Sequence, residues 1–275
     1  MKIYLGRSFL QSLLFLSLAF ITGCNEPIDL GIGPLETNIN IEDEKCQIAG
    51  ILRTTGLNFQ VSYIGNLLKE IKNFETFEKF IYVGNLLKSA TIGNMADEAI
   101  FDFNAKGNLS VVTFQGKDSN GKPYSNSSRM TYDASGNMVK FDLGLPSFQN
   151  NAVLDLTYDT KGNVKKISRK LGNNTYVLLE NKTFDDKNSP FLDQQLGQIL
   201  TYYMIYFILI GDDNYTYFLN KNNVTEAVIN NDNGRAELSV AYTYNAKNFP
   251  TKADIVKVIN GKQKQTTEFF SYTCK

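Results

Sequence analysis

A short motif that recurs along the chain constrains its fold more than any other feature. It consists of an aromatic residue, Asp or Asn, two variable residues, Gly and Asn, and it occurs at 103–108, 132–137 and 158–163. Asp or Asn opens a turn because its side chain accepts hydrogen bonds from backbone amides two residues further on. The glycine then takes the left-handed conformation that closes the turn. Each copy therefore predicts a β-hairpin.

The spacing of the copies extends this prediction to the whole domain. The turn-opening residues Asn104, Asp133, Asp159 and Asp185 are 29, 26 and 26 residues apart. That interval is the length of two strands with their connections. The aromatic residue before each turn and the aliphatic residue after it can pair across the two strands. We therefore assign Asp133, Gly136, Asp159 and Gly162 to the turn motif, as structural residues.

Weaker copies of the motif occur on both sides of the complete ones. Two later copies, at 184–188 and 244–248, place Asn where the others have Gly. Two shortened copies, at 63–69 and 82–88, replace the polar turn residue by Ile64 and Val83. The copies together predict one domain over 46–275, an antiparallel meander of about 12 to 16 strands.

One segment departs from the strand pattern. Ser189 and Pro190 form a helix start, and Gly211 suits its end. Apolar residues between them recur at helical spacing, although a strand through the aromatic stretch 202–210 is the competing interpretation. We predict an all-β fold in which a long antiparallel meander curls into an open or half-closed barrel. One inserted helix near 190–210 packs against its concave face.

The N-terminus resembles a bacterial lipoprotein signal. Lys2 and Arg7 precede an apolar run that ends in Ile-Thr-Gly-Cys at 21–24. We predict a signal peptide at 1–23 and lipidation of Cys24, with an ordinary signal peptide or a transmembrane anchor as alternatives. Residues 24–45 then form the lipidated start and an acidic, flexible tether. This places the protein in the cell envelope, held at the outer membrane by its N-terminal lipid.

Two cysteines remain once Cys24 is set aside. Cys46 and Cys274 lie at the two ends of the predicted domain. An envelope compartment permits disulfides, so the two residues form either a bridge that closes the domain or two buried free thiols.

Composition excludes several classes of chemistry. The chain contains no histidine, which removes the usual general base and the commonest metal ligand. The numbers of basic and acidic side chains are equal, whereas a nucleic-acid-binding protein usually has a surface rich in basic residues. We therefore predict no cofactor, no metal and no nucleic-acid partner.

Carboxylates are the remaining candidates for catalysis, because a pair of them can hydrolyse a glycoside without histidine. We favour a structural explanation for most of them, namely turn chemistry or a position just after the predicted helix, and we assign no catalytic residue. The candidates are Asp185, Asp186, Asp212, Asp213 and Glu226.

The motifs at 132–137, 184–191, 221–225 and 244–251 resemble, in that order, those of a family of uncharacterised lipoproteins from Bacteroidota-type bacteria. The first motif is also similar to the YD repeats of Rhs-type wall-associated proteins. The resemblance covers most of 46–275 and implies a porin-like domain, a large antiparallel meander that curls up without forming a membrane pore. It brings no catalytic residue with it.

These observations favour a lipid-anchored envelope protein with a non-catalytic binding or scaffolding role, whose partner is a glycan or an envelope protein. A carboxylate-dependent glycan hydrolase is the first alternative. A small transmembrane β-barrel is the second, and it requires an outward apolar band on its strands. Charged pairs on single strand faces, such as Lys140 with Asp142 and Arg235 with Glu237, argue against that band.

Overall fold

The computed structural model describes the predicted domain with several gaps in its connections. The described residues are 46–54, 58–72, 79–92, 97–118, 120–144, 152–171, 173–192, 196–197, 199–200, 214, 216–231 and 234–274. The predicted signal peptide, Cys24 and the predicted tether lie outside them.

Sixteen antiparallel strands form a single sheet in which each strand pairs with its neighbours in sequence. The predicted all-β meander is confirmed. The strands are β1 (Cys46–Arg53), β2 (Asn58–Ile64), β3 (Leu67–Lys72), β4 (Lys79–Val83), β5 (Leu86–Ile92), β6 (Asp97–Phe103), β7 (Leu109–Lys117), β8 (Pro123–Tyr132), β9 (Met138–Leu143), β10 (Ala152–Tyr158), β11 (Val164–Leu171), β12 (Asn174–Asn188), β13 (Asn222–Asn231), β14 (Gly234–Tyr244), β15 (Pro250–Ile259) and β16 (Lys262–Cys274).

The sheet closes on itself, because β1 pairs with β16 from Cys46 opposite Cys274 to Arg53 opposite Glu268. The barrel is thus closed rather than open or half-closed. A sequence motif that reports local hairpins carries no information on this last pairing, which joins strands at the two ends of the domain. Closure gives every strand two neighbours, although β3 and β4 share only the registered pair of Glu70 and Lys79.

The connections fall at two ends of the barrel. We call the end at which β2, β4, β6, β8, β10 and β14 each turn into the next strand the turn end. Cys46 and Cys274 lie at this end, since β1 begins there and β16 finishes there. The long connection from β12 to β13 also begins and ends at the turn end. The other end, the far end, is where the odd-numbered strands from β1 to β15 finish, and it carries the tight turn at Asn260 and Gly261. Both of those residues have positive φ, 50° and 75°.

The two faces of the sheet differ sharply in polarity. Inward-facing side chains such as Phe59, Phe101 and Phe141 are almost fully buried and belong to one hydrophobic cluster. Outward-facing side chains are polar or charged on most strands, as Arg235 and Glu237 are on β14. A round barrel of sixteen strands leaves a water-filled channel. The burial of the inward-facing side chains means that this interior is filled instead.

The connection between β12 and β13 contributes to that filling. Leu196, Gly197, Ile199 and Leu200 are helical, and Phe191, Leu196, Ile199 and Leu200 are buried in the same hydrophobic cluster as the strands. A 3-10 turn follows at Thr216–Phe218. At the predicted start of the helix near 190–210, residues 190–192 form a turn instead, and 193–195, 198 and 201–210 lie outside the described residues. No helix within the described ranges is long and apolar enough to span a membrane.

Candidate functional site

The polar turns at the turn end share one hydrogen-bonding pattern. In the turn between β10 and β11, the Oδ1 atom of Asp159 accepts bonds from the backbone amides of Lys161 and Asn163, both at 2.9 Å. The side chain of Asn163 donates to Oδ2 of Asp159, and Gly162 has a φ of 87°. The left-handed glycine and the doubly accepting carboxylate together fix the five-residue loop.

The same geometry recurs in the other complete copies. Asp133 accepts from the amide and the side chain of Asn137, and Gly136 has a φ of 86°. Hydrogen bonds from Asn137 lower the pKa of the Asp133 carboxyl below its ordinary value. Asn104 accepts the equivalent backbone bonds without a charge. The structure therefore places Asp133, Gly136, Asp159 and Gly162 in turns and brings none of them to a cleft.

Tyrosines near the turns make a second repeated contact, which sequence reasoning missed. The hydroxyl of Tyr158 donates to the carbonyl of Met138, and that of Tyr132 donates to the carbonyl of Leu109, at 2.9 and 2.7 Å. Met138 is itself the cross-strand partner of Tyr132. Each tyrosine thus binds the strand pair formed by the preceding copy of the motif.

This contact continues around the barrel, and we call its six tyrosines the tyrosine belt. They are Tyr63, Tyr82, Tyr132, Tyr158, Tyr242 and Tyr272, whose hydroxyls donate to the carbonyls of Ile48, Leu68, Leu109, Met138, Val224 and Pro250. The belt crosses the β1–β16 closure, because Ile48 pairs with Tyr272 while accepting from Tyr63. Burial raises the pKa of the belt hydroxyls above the ordinary value, so they stay protonated and keep donating at neutral pH.

The signal for the belt was present in the sequence as the aromatic residue of each motif. We interpreted that residue as a cross-strand packing partner, and Tyr132 opposite Met138 and Tyr158 opposite Val164 do pair in this way. The role of the hydroxyl depends on the register of a third strand, which the motif does not specify. Tyr242 and Tyr244 also face inward, and their hydroxyls donate to the carbonyl of Val224 and the carboxylate of Asp185.

Two of the carboxylate candidates, Asp185 and Asp186, make separate contacts. Asp185 accepts hydrogen bonds from the amides of Lys187 and Asn223, from the Asn223 side chain and from the hydroxyl of Tyr244. This network links the end of β12 to the start of β13. At this point a long connection replaces the short turn of the complete motif copies. Asp186 is exposed and lies 3.4 Å from the Lys187 ammonium.

The remaining candidates take part in no contact that the structure describes as catalytic. Glu226 is exposed on β13, and Asp212 and Asp213 lie outside the described residues. Within the part of the chain that the structure describes, no group of three His, Cys, Asp or Glu side chains could hold a metal ion.

Arg53 and Glu268 form an ion pair inside the barrel. The Nε atom of Arg53 donates to Oε1 of Glu268 at 2.7 Å, and both side chains are buried. A cavity of about 30 Å³ beside them is also lined by Asn214, Tyr217 and Tyr242. That volume holds about one water molecule and is too small for a ligand, and Val224, Leu238, Val240 and Ile255 complete its lining. The nearby Glu268 charge adds to burial in raising the pKa of Tyr242.

A wider, open groove of about 560 Å³ lies at the far end, on β6, β7 and β8. Tyr124 lines it and donates to Oδ2 of Asp97 at 2.9 Å. Burial, followed by this bond to Asp97, raises the pKa of Tyr124 to about 12. The rim groove, as we call it, offers carboxylate, amide, ammonium and hydroxyl groups to solvent. Its lining residues are Glu98, Gln115, Gly116, Lys117, Pro123, Tyr124 and Ser125.

The structure joins Cys46 and Cys274 in a disulfide. It connects the first described residue of β1 to the last residue of β16 at the turn end. The bond thus lies at the closure of the barrel, next to the strand pairing that it reinforces.

The comparisons with known proteins give similarity in structure only. The chain is similar to a porin-like protein from Bacteroides uniformis, with 13% identity, 82% of this chain and 86% of that chain covered, and a TM-score of 0.46. It is also similar to a porin-like protein from Bacteroides vulgatus, with 13% identity, 83% and 99% coverage, and a TM-score of 0.49. No protein-family model matches the sequence, and no curated protein matches it significantly.

Proposed function

We propose that the protein is a lipid-anchored protein of the cell envelope whose barrel is a non-catalytic binding or scaffolding module. The observation that carries this proposal is the polarity of the barrel, with an apolar, filled interior and a charged outer face. A transmembrane barrel needs the opposite arrangement, an apolar band facing lipid. A charged outer face is favourable in contact with water. In this proposal the protein is therefore attached to the membrane through a lipid on Cys24.

Lipidation is tested by comparing the full-length protein with its Cys24→Ser variant in a bacterial host that processes lipoproteins. We expect the unaltered protein to incorporate labelled fatty acid and to partition into detergent, while Cys24→Ser does neither. Thr22→Ala keeps small residues before the cysteine and serves as the matched control, because it should still be lipidated. A Cys24→Ser protein that resists carbonate extraction would favour the transmembrane barrel instead.

The binding role is proposed to lie at the rim groove. Its open volume is in the range of pockets that accommodate small ligands, and its polar groups suit the hydroxyls of a glycan or the backbone of a peptide. Gln115 donates to Oε2 of Glu98 at 3.1 Å, so both side chains are already oriented at the surface.

Arrays of glycans and envelope peptides, probed with the purified protein, test this assignment. We expect Gln115→Ala and Lys117→Ala to reduce binding at least tenfold, and Lys165→Ala, outside the groove, to leave it unchanged. Equal binding by all variants would place the site elsewhere. Turnover of a bound glycan that is lost in Glu226→Gln or Asp186→Asn would instead favour the hydrolase.

A further inference from the structure

Two neighbouring hairpins at the turn end expose apolar side chains where the other described turns at that end are polar. Ile64 and Val83 are 66% and 67% exposed, and Ile81 and Leu86 are 47% and 49% exposed. We call these four residues the apolar tip patch. Each hairpin places an aliphatic pair across its Gly-Asn turn, Ile64 opposite Leu67 and Val83 opposite Leu86.

The four side chains lie on one side of the sheet. On β4, Phe80 and Tyr82 face the interior of the barrel, so Ile81 and Val83 face outward. The two hairpins are adjacent because Glu70 of β3 pairs with Lys79 of β4. Tyr82 of β4 also donates its hydroxyl to the carbonyl of Leu68 on β3, which brings the two tips together, and we treat them as one surface.

A lysine accompanies each tip. Lys69 and Lys88 are both exposed. Lys69 follows Leu68, the cross-strand partner of Tyr63, and Lys88 follows Leu87, the partner of Tyr82. Each lysine lies where the strand register of its hairpin shifts. An apolar tip with a cation immediately behind it matches a membrane interface. The aliphatic groups meet acyl chains there, and the ammonium meets anionic headgroups.

The position of the patch also points to the membrane. Tyr63, next to Ile64, donates its hydroxyl to the carbonyl of Ile48 on β1, two residues from Cys46. The patch therefore lies at the end of the barrel where the chain continues toward Cys24, 22 residues upstream. A segment of that length reaches at most about 75 Å when fully extended, so a lipid on Cys24 keeps the barrel near the bilayer.

We propose that the apolar tip patch inserts shallowly into the bilayer that holds the Cys24 lipid and so docks the side of the turn end that carries β2 to β5 on the membrane. This inference rests on the lipid anchoring proposed above. Four half-exposed aliphatic residues are a weak membrane ligand alone. The tether raises their effective concentration at the bilayer to the order of millimolar, at which weak contacts are occupied. The rim groove, at the far end, then faces away from the membrane.

The absence of tryptophan from the sequence makes this docking measurable, because a single introduced tryptophan has no background. Full-length lipidated Val83→Trp is reconstituted into vesicles of phosphatidylethanolamine and phosphatidylglycerol that contain lipids brominated near the glycerol. Leu86→Trp is a second probe on the same patch. Ser135→Trp, in a polar turn at the same end, is the matched control.

We expect the emission of Val83→Trp and Leu86→Trp to shift to the blue and to be quenched at least twofold, with Ser135→Trp unaffected. Lys69→Gln with Lys88→Gln should reduce the quenching in phosphatidylglycerol vesicles and leave it unchanged in zwitterionic ones. Equal and negligible quenching of all probes in vesicle-bound protein would overturn the docking. A concentration-dependent blue shift without vesicles, insensitive to brominated lipid, would assign the patch to a second copy of the chain.

Co-flotation with the vesicles separates the two proposals. If Cys24→Ser floats as well as the lipidated protein, the anchoring itself is wrong. If only the lipidated protein floats but its patch probes are not quenched, the anchoring stands and the docking alone fails.

Discussion

The hairpins β2–β3 and β4–β5 reach the same architecture as the later hairpins β6–β7, β8–β9 and β10–β11 by different turn chemistry. The early pair uses two-residue turns in which Gly65 and Gly84 supply a positive φ of about 60°. The later hairpins use five-residue loops held by an Asp or Asn side chain. Both groups nevertheless position a tyrosine that binds the carbonyl of a preceding strand.

This difference shows that the tyrosine belt does not depend on the turn beyond it. Where a polar side chain holds the loop together, an apolar residue at that position would remove the hydrogen bonds that form the turn. Where backbone geometry alone closes the loop, the flanking positions are free to vary, and here they carry Ile64, Val83 and Leu86. The exposed apolar tip patch is therefore compatible with an intact barrel.

The largest expected effect concerns the closure beside the early hairpins. Replacing both Cys46 and Cys274 by Ala removes a covalent link across 228 residues. In the loop-entropy model this lowers the free energy of unfolding by up to about 5 kcal/mol. Guanidinium unfolding of the double variant, and of the unaltered protein with reductant, measures the loss.

Hydrogen exchange of the same variant sharpens the comparison. We expect β1 to β5 to lose protection before β8 to β11, because a single registered pair, Glu70 opposite Lys79, joins β3 to β4. Uniform loss of protection in both regions would show that the early hairpins are no less stable than the later ones.

The second prediction addresses the turns themselves. Asp159→Ala removes the acceptor of three hydrogen bonds and should cost about 2 kcal/mol of unfolding free energy. Asn66→Ala, at the exposed turn of β2–β3, should stay within about 0.5 kcal/mol. Chemical denaturation of both variants measures the contrast. Asp159→Asn should recover most of the loss, as Asn104 already performs this role in its own turn. A cost for Asn66→Ala equal to that of Asp159→Ala would contradict the distinction between the two turn types.

The third prediction tests what the two regions share. Tyr82→Phe and Tyr158→Phe each remove one belt hydrogen bond and leave its carbonyl acceptor without this donor. Each should lower the free energy of unfolding by about 1 kcal/mol, by a similar amount in the two regions. Thermal unfolding of the two variants measures it, with Tyr176→Phe on β12 as an exposed control. If only Tyr158→Phe lowered the free energy of unfolding, the belt would contribute to stability in the later hairpins alone.

The hairpins and the meander could be predicted from the sequence because the residues that form each turn all lie within one short motif. Asn248, the substitute for glycine in a weaker copy, has a φ of 63°. The closure and the belt could not be predicted, since both depend on the register between strands that are not joined by the same turn. Arg53 and Glu268 illustrate the limit. Charged residues in strands predict an outer face, and only the β1–β16 register shows these two as an inward pair.

The smallest expected effect is the response of the two regions to acid. The early turns contain no carboxylate, whereas Asp133 and Asp159 have pKa values below the ordinary 3.8. For Asp133, hydrogen bonds from Asn137 are the cause. For Asp159, burial opposes the shift, but bonds from Asn163 and Lys161 outweigh it. A carboxyl with a depressed folded-state pKa stabilises the native state fully above its unfolded-state value. That contribution is lost as the pH falls from about 5 through the folded-state pKa.

Side-chain carboxyl titration by NMR checks the two depressed values directly, and chemical shifts of the turn amides report the consequence. The amides at 133–137 and 159–163 should respond below pH 4, while those of Gly65 and Gly84 stay constant. The Asp133→Asn variant isolates the charge, because an amide oxygen accepts the same backbone bonds but does not titrate. Its turn should become as insensitive to acid as the Asn104 turn. If the amides of this turn still responded to acid in that variant, the response would come from the barrel as a whole. The turn carboxylate would then not explain why the two regions respond differently to acid.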